Sequence, residues 1–343
     1  MSTLSELQAT MTQLAARGKG LLAADESVPT ITKRLQSVGV ESTEETRRQY
    51  RDLLFTTPKL GDYVAGIILF EETLNQKTDS GVLFPQFLQD NHIIPGIKVD
   101  KGLIAISQSN PEQVTQGLDG LGERLQNYKK QGAKFAKWRA VYTVGDNLPS
   151  TAAQLINATG LARYAQICQD NGIVPIVEPE VLIDGDHTIE QCEIASKKTL
   201  QILFDTLNQY GVILECIILK PSMVIAGKKS AHQSTVEQVA QATLRVLKET
   251  VPAAVQTINF LSGGQTPVQA TQHLNLMNAA GNLPWNLSFS YARALQEPCM
   301  SAWAGKAANK NAAQTILYNR AKLNHFAALG QYAEKMESDL VNA

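Results

Sequence analysis

The chain reads as an α/β protein, a closed (β/α)8 TIM barrel in a single domain, and three observations predict it. About eight short apolar runs alternate with longer amphipathic segments at fairly even spacing, and eight strands close such a barrel. Most of these runs are near-continuous in apolar character, as parallel strands covered on both faces require. No G-x-G-x-x-G follows the first run, so a doubly wound open sheet, the main alternative, lacks its phosphate-binding turn.

The elements can be justified in order. Thr3-x-x-Glu6 has a helix-capping pattern, and Leu4, Leu7, Met11 and Leu14 fall on one face of the helix it opens. The first strand spans Gly20–Ala24 and ends at Asp25-Glu26-Ser27. Ser42-x-x-Glu45 opens another helix. Strands follow at residues 64–70, 93–99 and 135–144, and residues 71–85 fit a long loop on a barrel end. Ser150 precedes a long helix that stops at Asn171-Gly172. The fifth strand covers residues 173–177, with residues 182–187 as a further loop. A helix from about Ile189 to Tyr210 ends at Gly211, and strands at 216–219, 257–261 and Asn286–Tyr291 complete the set. No linker, composition shift or low-complexity tract divides the chain. Residues 1–343 are expected to form one domain, with an N-terminal helix and a short tail over about 332–343.

Composition removes several function classes. A net charge of −1 gives no general electrostatic case for nucleic acid or an anionic membrane. No apolar run is long enough to span a bilayer, and the N-terminus is neither a signal nor a transit peptide, so a cytoplasmic protein is expected. Cys168, Cys192, Cys216 and Cys299 show no C-x-x-C spacing and read as reduced apolar fillers. Asp184-Gly185-Asp186-His187 has ligand-type residues, but the histidines at 92, 187, 232, 273 and 325 form no ligand pair. No metal and no cofactor are expected. Trp138, Trp285 and Trp303 read as core or rim packing.

In a barrel, chemistry sits at the carboxyl ends of the strands. Cys216-Ile217-Ile218-Leu219-Lys220-Pro221 places an ammonium in poor solvent. Its pKa should therefore fall, leaving a neutral, nucleophilic amine of the kind a Schiff-base enzyme needs. Asp25, Lys98, Lys137 with Arg139, and Glu178 with Glu180 end other strands. The two-residue spacing of those pairs directs each to one face, read as the barrel interior, where charges must pair with each other or with a ligand. Lys98 has Asp100 as an alternative partner. Ser262-Gly263-Gly264 follows the seventh run, where glycines let backbone N–H groups converge on an anion, and Arg293 follows the eighth as a bidentate counter-charge. Three lysines, two arginines and several carboxylates at interior strand ends point to a polyanionic substrate.

These residues lie in longer motifs: Leu22-Ala23-Ala24-Asp25-Glu26-Ser27, Gly96-Ile97-Lys98-Val99-Asp100-Lys101-Gly102, Phe135-Ala136-Lys137-Trp138-Arg139 and Val177-Glu178-Pro179-Glu180. Leu219-Lys220-Pro221, Leu261-Ser262-Gly263-Gly264-Gln265 and Ser290-Tyr291-Ala292-Arg293-Ala294-Leu295-Gln296 follow in the same order. With them the chain resembles the class I fructose-1,6-bisphosphate aldolases from about Leu4 to Gln331. The resemblance implies that Lys220 forms a Schiff base with the C2 ketone of the open-chain sugar bisphosphate and that Glu178 is the acid/base. Asp25, Lys137 and Glu180 would tune that proton network. Ser262, Gly263, Gly264, Ser290 and Arg293 would hold the C1 phosphate, and Ser27, Thr30, Arg34, Lys98 and Arg139 would lie toward the C6 end. A role in glycolysis, gluconeogenesis or the Calvin cycle, a homotetramer, and sedoheptulose 1,7-bisphosphate as a second substrate are further implications.

Two departures stand out. Ala292 occupies a position where the family usually has glycine, and a positive φ there would strain it. The chain ends Ser338-Asp339-Leu340-Val341-Asn342-Ala343, without the terminal tyrosine that assists proton exchange in the animal enzymes; Tyr332 lies earlier, in a stretch still read as helical. The alternatives are another Schiff-base lyase such as a transaldolase, against which cations at both ends of the site argue, and a catalytically silent scaffold. Lys220 and Glu178, whose loss would have suggested a scaffold, are both present.

Overall fold

The computed structural model describes residues 2–108 and 110–341. Its strands are β1 (Gly20–Ala24), β2 (Val64–Leu69), β3 (Ile94–Lys98), β4 (Leu103–Ser107), β5 (Asn110–Thr115), β6 (Phe135–Tyr142), β7 (Val174–Val181), β8 (Ile218–Leu219), β9 (Thr257–Phe260) and β10 (Asn286–Tyr291). All but β4 and β5 pair in parallel and close a barrel in the order β1-β10-β9-β8-β7-β6-β3-β2. The helices are α1 (Thr3–Leu14), α2 (Val28–Ser37), α3 (Glu44–Phe55), α4 (Phe84–Asp90), α5 (Leu121–Lys130), α6 (Thr151–Asp170), α7 (Ile189–Gln209), α8 (Val236–Thr250), α9 (Pro267–Ala279), α10 (Arg293–Trp303), α11 (Lys310–Ala328) and α12 (Lys335–Val341).

The core has two shells. The larger lies between strands and helices and includes Leu22, Ile67, Ile97, Trp138, Val177, Leu219, Ile258 and Leu287. The smaller fills the barrel interior with Leu21, Ala23, Ile68, Phe135, Val174, Ile176 and Ile218, and Leu7, Met11 and Leu14 of α1 join it. The helix thus packs against the apolar filling of the barrel with its buried face. Gly96 shows how tight that filling is: a Cβ there would stand 2.2 Å from the Phe135 ring.

Several expectations are corrected in detail. Leu4 is exposed, so the buried face of α1 starts at Leu7. Its N-cap is Ser2, which accepts from the Ser5 N–H, and α3 is capped by Thr43 with Thr46 in a reciprocal box; Ser42-x-x-Glu45 does not form it. β7 runs four residues beyond the apolar run, because Glu178 and Glu180 keep strand pairing with β6 while facing the interior. At 216–219 only Ile218 and Leu219 pair as strand, since Leu214–Cys216 winds into a 3-10 turn. Lys220 still rides the sheet, its N–H donating to the Val177 carbonyl at 2.8 Å. The 71–85 stretch contains a 3-10 turn at Glu71–Asn75, and between the third and fourth barrel strands β4 and β5 pair as an antiparallel hairpin.

Among the described residues, no helix is long and apolar enough to cross a membrane. Tyr332 lies between α11 and α12 rather than in a helix. Its hydroxyl donates to Glu337 at 3.0 Å, and Arg320 donates to both oxygens of that carboxylate at 2.6 and 2.7 Å. Asn342 and Ala343 of the expected tail lie outside the described residues.

Candidate active site

Strand register decides which charges meet. Lys98 on β3 stands opposite Lys137 on β6, and Arg139 and Val141 on β6 stand opposite Glu178 and Glu180 on β7. At the carboxyl ends these side chains surround a cavity of about 280 Å³. Asp25, Lys137, Glu178 and Lys220 form its buried floor. Lys137 Nζ donates to Asp25 Oδ2 at 3.0 Å and lies 3.1 Å from Glu178 Oε2, while Lys220 Nζ lies 3.3 Å from Glu178 Oε1. The two contacts to Glu178 are within ion-pair distance but not aligned as hydrogen bonds, so the carboxylate stays open to a third partner.

Two amines on this floor are driven apart. Burial opposes the charge of Lys137, but Asp25 and Glu178 outweigh it and hold its pKa well above the lysine range. Burial pushes Lys220 below that range, and the Lys137 charge pushes in the same direction against the pull of Glu178. Asp25 is lowered well below the carboxylate range, because Lys137 and Lys220 overcome the opposing effect of burial. The arrangement keeps one ammonium fixed as a charge and makes the other available as a free amine.

One wall of the cavity carries cations that already have carboxylate partners. Arg34 pairs with Glu26, which Arg51 also contacts at 2.6 Å; Lys98 donates to Asp100 at 2.7 Å; Arg139 pairs with Glu180. Glu180 is therefore engaged by Arg139 here, and Lys98 has the Asp100 partner that its sequence neighbourhood offered. Ser27 sits at the N-terminus of α2, its hydroxyl 3.1 Å from that of Thr30.

The opposite wall is built differently. Gly263 and Gly264 have φ of 54° and 87°, a left-handed turn that suits glycine. A Cβ on Gly263 would also meet Leu261 at 2.9 Å. Ser262 is buried, and the buried Ser290 hydroxyl has no hydrogen-bond partner. Arg293 opens α10 and, among the described residues, makes no ion pair. Ala292 has φ of −100°, so the alanine carries none of the anticipated strain. This wall offers an unpaired guanidinium and an unpartnered hydroxyl, the groups an anion could engage.

A depressed amine beside a buried carboxylate, with an unpaired arginine on one wall and carboxylate-paired cations on the other, fits what the motifs imply. A family model described as "Fructose-bisphosphate aldolase class-I" matches residues 6–343. The chain belongs to the class I fructose-bisphosphate aldolase family. Among its relatives in that family, a probable fructose-bisphosphate aldolase class 1 of Xanthomonas campestris pv. campestris is 52% identical over 331 residues, covering 96% of this chain and 99% of the relative. Fructose-bisphosphate aldolase 4, cytosolic, of Arabidopsis thaliana is 51% identical over 328 residues, covering 95% and 84%. In structure, the chain is similar to the fructose-bisphosphate aldolase of Plasmodium falciparum solved in a ternary complex with TRAP and a small-molecule inhibitor. That likeness has a TM-score of 0.95 and 48% identity, and it covers 96% of each chain.

Nearly every aldolase-type residue singled out in the sequence lines this cavity: Asp25, Ser27, Thr30, Arg34, Lys98, Lys137, Arg139, Glu178, Glu180, Lys220, Ser262, Gly263, Ser290 and Arg293. Gly264 lies beside it, with a Cβ position 3.4 Å from Arg293. Glu26, to which its sequence context assigns no role, also lines the cavity. It follows Asp25 directly, yet it turns to a different set of partners, Arg34, Arg51 and the Gln296 side-chain amide at 2.9 Å. The contacts with Arg51 and Gln296, 25 and 270 residues away, reveal that. Among the described residues, no group of three or more histidine, cysteine, aspartate or glutamate side chains is arranged to hold a metal ion.

Proposed function

We propose that this chain, an aldehyde-lyase of the class I aldolase family, cleaves fructose 1,6-bisphosphate reversibly to dihydroxyacetone phosphate and glyceraldehyde 3-phosphate through Lys220. The observation that carries this is the buried Lys220 amine, pushed below its ordinary pKa, 3.3 Å from Glu178 and beside the permanently charged Lys137. The neutral amine attacks the C2 ketone, and Glu178 supplies the proton that lets water leave the carbinolamine. The resulting iminium is an electron sink. Glu178 then takes the C4 hydroxyl proton, the C3–C4 electron pair flows into the iminium, and the aldehyde departs. Protonation of the enamine at C3 and hydrolysis of the imine release dihydroxyacetone phosphate and regenerate Lys220.

Lys137, held by Asp25, keeps a fixed positive charge next to this exchange. That charge favours the neutral form of Lys220 at the start. The Ser262-Gly263-Gly264 loop, Ser290 and Arg293 receive the C1 phosphate. Ser27, Thr30, Arg34, Lys98 and Arg139 face the C6 phosphate, and Glu180 acts by orienting Arg139. Sedoheptulose 1,7-bisphosphate presents the same C1 half and fits as a second substrate. Residues 1–343 are read as one barrel domain working in the cytoplasm as a homotetramer, by family likeness.

Borohydride trapping with dihydroxyacetone phosphate, followed by peptide mapping, tests the assignment. The reduced adduct is expected on Lys220; an adduct on Lys98 or Lys137 would overturn it.

A further inference from the structure

One cation stands against the phosphate-receiving wall that neither the motifs nor the cavity lining included. A Cβ built on Gly264 would lie 2.8 Å from Lys228 Nζ and 3.4 Å from an Arg293 guanidinium nitrogen, so both cations flank the same glycine. Lys228 is weakly committed elsewhere. Its side-chain contact is with Asp184 Oδ1 at 3.4 Å, and that carboxylate is 73% exposed. Two cations converging on a turn of left-handed glycines, with only one solvated carboxylate at the edge, leave positive charge uncompensated.

The backbone fixes Lys228 there. The loop after β7, which holds the Asp184-Gly185-Asp186-His187 motif, accepts three successive hydrogen bonds from the Lys228 segment. Gly227 N–H donates to the His187 carbonyl at 2.9 Å, Lys228 N–H to Ile183 at 2.9 Å, and Lys229 N–H to Gly185 at 2.8 Å. The two strands of chain touch so closely that a Cβ on Gly227 would meet the Gly185 carbonyl oxygen at 2.5 Å. The motif whose composition suggested a metal is thus a backbone clamp for a lysine.

We infer that Lys228 is a phosphate-binding residue of this active site, a second cation beside Arg293 that sets the preference for a ketose phosphorylated at C1. This rests on reading the Ser262-Gly263-Gly264 loop as the C1-phosphate site. The ammonium reaches the phosphate from the rim, exchanging its long contact with Asp184 for a closer one to a doubly charged anion. Because Lys228 is 44% exposed, it adds to affinity without supporting the fold.

The test is the half-saturation of borohydride-trapped adduct by dihydroxyacetone phosphate, set against phosphate-free dihydroxyacetone, in four variants. Lys228→Met is expected to raise half-saturation for the phosphorylated ketose about 3- to 10-fold, with no change for dihydroxyacetone, and Lys228→Arg is expected to restore most of the affinity. Asp184→Asn removes the competing carboxylate and should leave affinity unchanged or improved. Arg293→Ala calibrates the parent reading. Loss in Arg293→Ala with none in Lys228→Met overturns this inference alone, and retention in both overturns the phosphate site itself. A defect in Asp184→Asn equal to that of Lys228→Met would mean that the pair merely pins the loop, and would also overturn it.

Discussion

The two walls of the cavity carry similar charge and opposite organisation. On the β1–β3–β6 side every cation is already answered: Arg34 by Glu26, Lys98 by Asp100, Arg139 by Glu180. On the β9–β10 side Arg293 is unanswered among the described residues, the buried Ser290 hydroxyl has no partner, and two glycines hold strained-for-others backbone open. A phosphate arriving at the first wall must compete with carboxylates for its donors. One arriving at the second meets donors that are waiting. The second wall is therefore preorganised, and an anion gains most where no internal partner has to be given up.

This difference orders the expected effects of mutation. Lys220→Met removes the amine between the walls and should abolish turnover, a loss on the order of 10⁴-fold or more as for other covalent nucleophiles. Both phosphate ends should still bind fructose 1,6-bisphosphate, which calorimetry on the variant would show. Loss of binding together with turnover would mean that the walls do not act independently of the floor.

Next in size is Arg293→Ala. Charge-assisted contacts of about 1.5–3 kcal/mol correspond to a fall of roughly 10- to 150-fold in kcat/KM for ketose 1-phosphates. An unchanged kcat/KM would remove the preorganised wall from the comparison. Arg34→Ala should cost less, about 3- to 10-fold, because its contact with phosphate is offset by the Glu26 pairing it must leave. Its effect should also be confined to substrates with a C6 phosphate, so fructose 1-phosphate is the control. An equal loss with fructose 1-phosphate would show that Arg34 serves packing rather than phosphate.

A pH experiment sharpens the role of the floor. The folded-state pKa of Lys220 is depressed, so its amine becomes neutral below the ordinary lysine value of about 10.4, and adduct formation should rise with pH through that lowered midpoint. Lys137→Met removes a charge that helps depress Lys220 and frees Asp25 and Glu178 to attract it, so the midpoint should move to higher pH. A midpoint that stays in place in stopped-flow trapping would exclude Lys137 as the cause.

The smallest effect expected is at the tail. Deleting residues 338–343 leaves Glu337 with Arg320 and Tyr332, and it removes no tyrosine. Exchange of the dihydroxyacetone phosphate C3 proton with solvent tritium should change less than about 2-fold, since Asp339 is the sole ionisable side chain removed and carboxylates titrate near pH 4. A tenfold drop with the fold intact would bring the tail into the active site.

Much of this was legible in the chain itself. Parallel strands buried on both faces must be apolar throughout, so the eight runs announced the barrel, and charged residues closing such runs had nowhere to go but its mouth. The alternation of side chains along a strand likewise put Lys137 with Arg139 and Glu178 with Glu180 on common faces. Local signals failed where a neighbour decided the outcome. Ser2 and Thr43, not Thr3 and Ser42, became the caps, and the 216–219 run kept only two residues of strand.

What the sequence by itself determined is the set of groups: an amine in an apolar strand end, the carboxylates Asp25, Glu178 and Glu180, a glycine turn and the cations around them. Apart from Lys98, whose Asp100 partner is two residues away, which cation is satisfied was decided only by tertiary structure, because pairing depends on register and distance across elements far apart in sequence. Glu26 meets Arg51 across 25 residues and Lys137 meets Asp25 across 112, while Lys228 reaches Gly264 through a clamp on the β7 loop. Charge type is a property of a residue. Whether that charge is available to a substrate is a property of the space the whole chain builds around it.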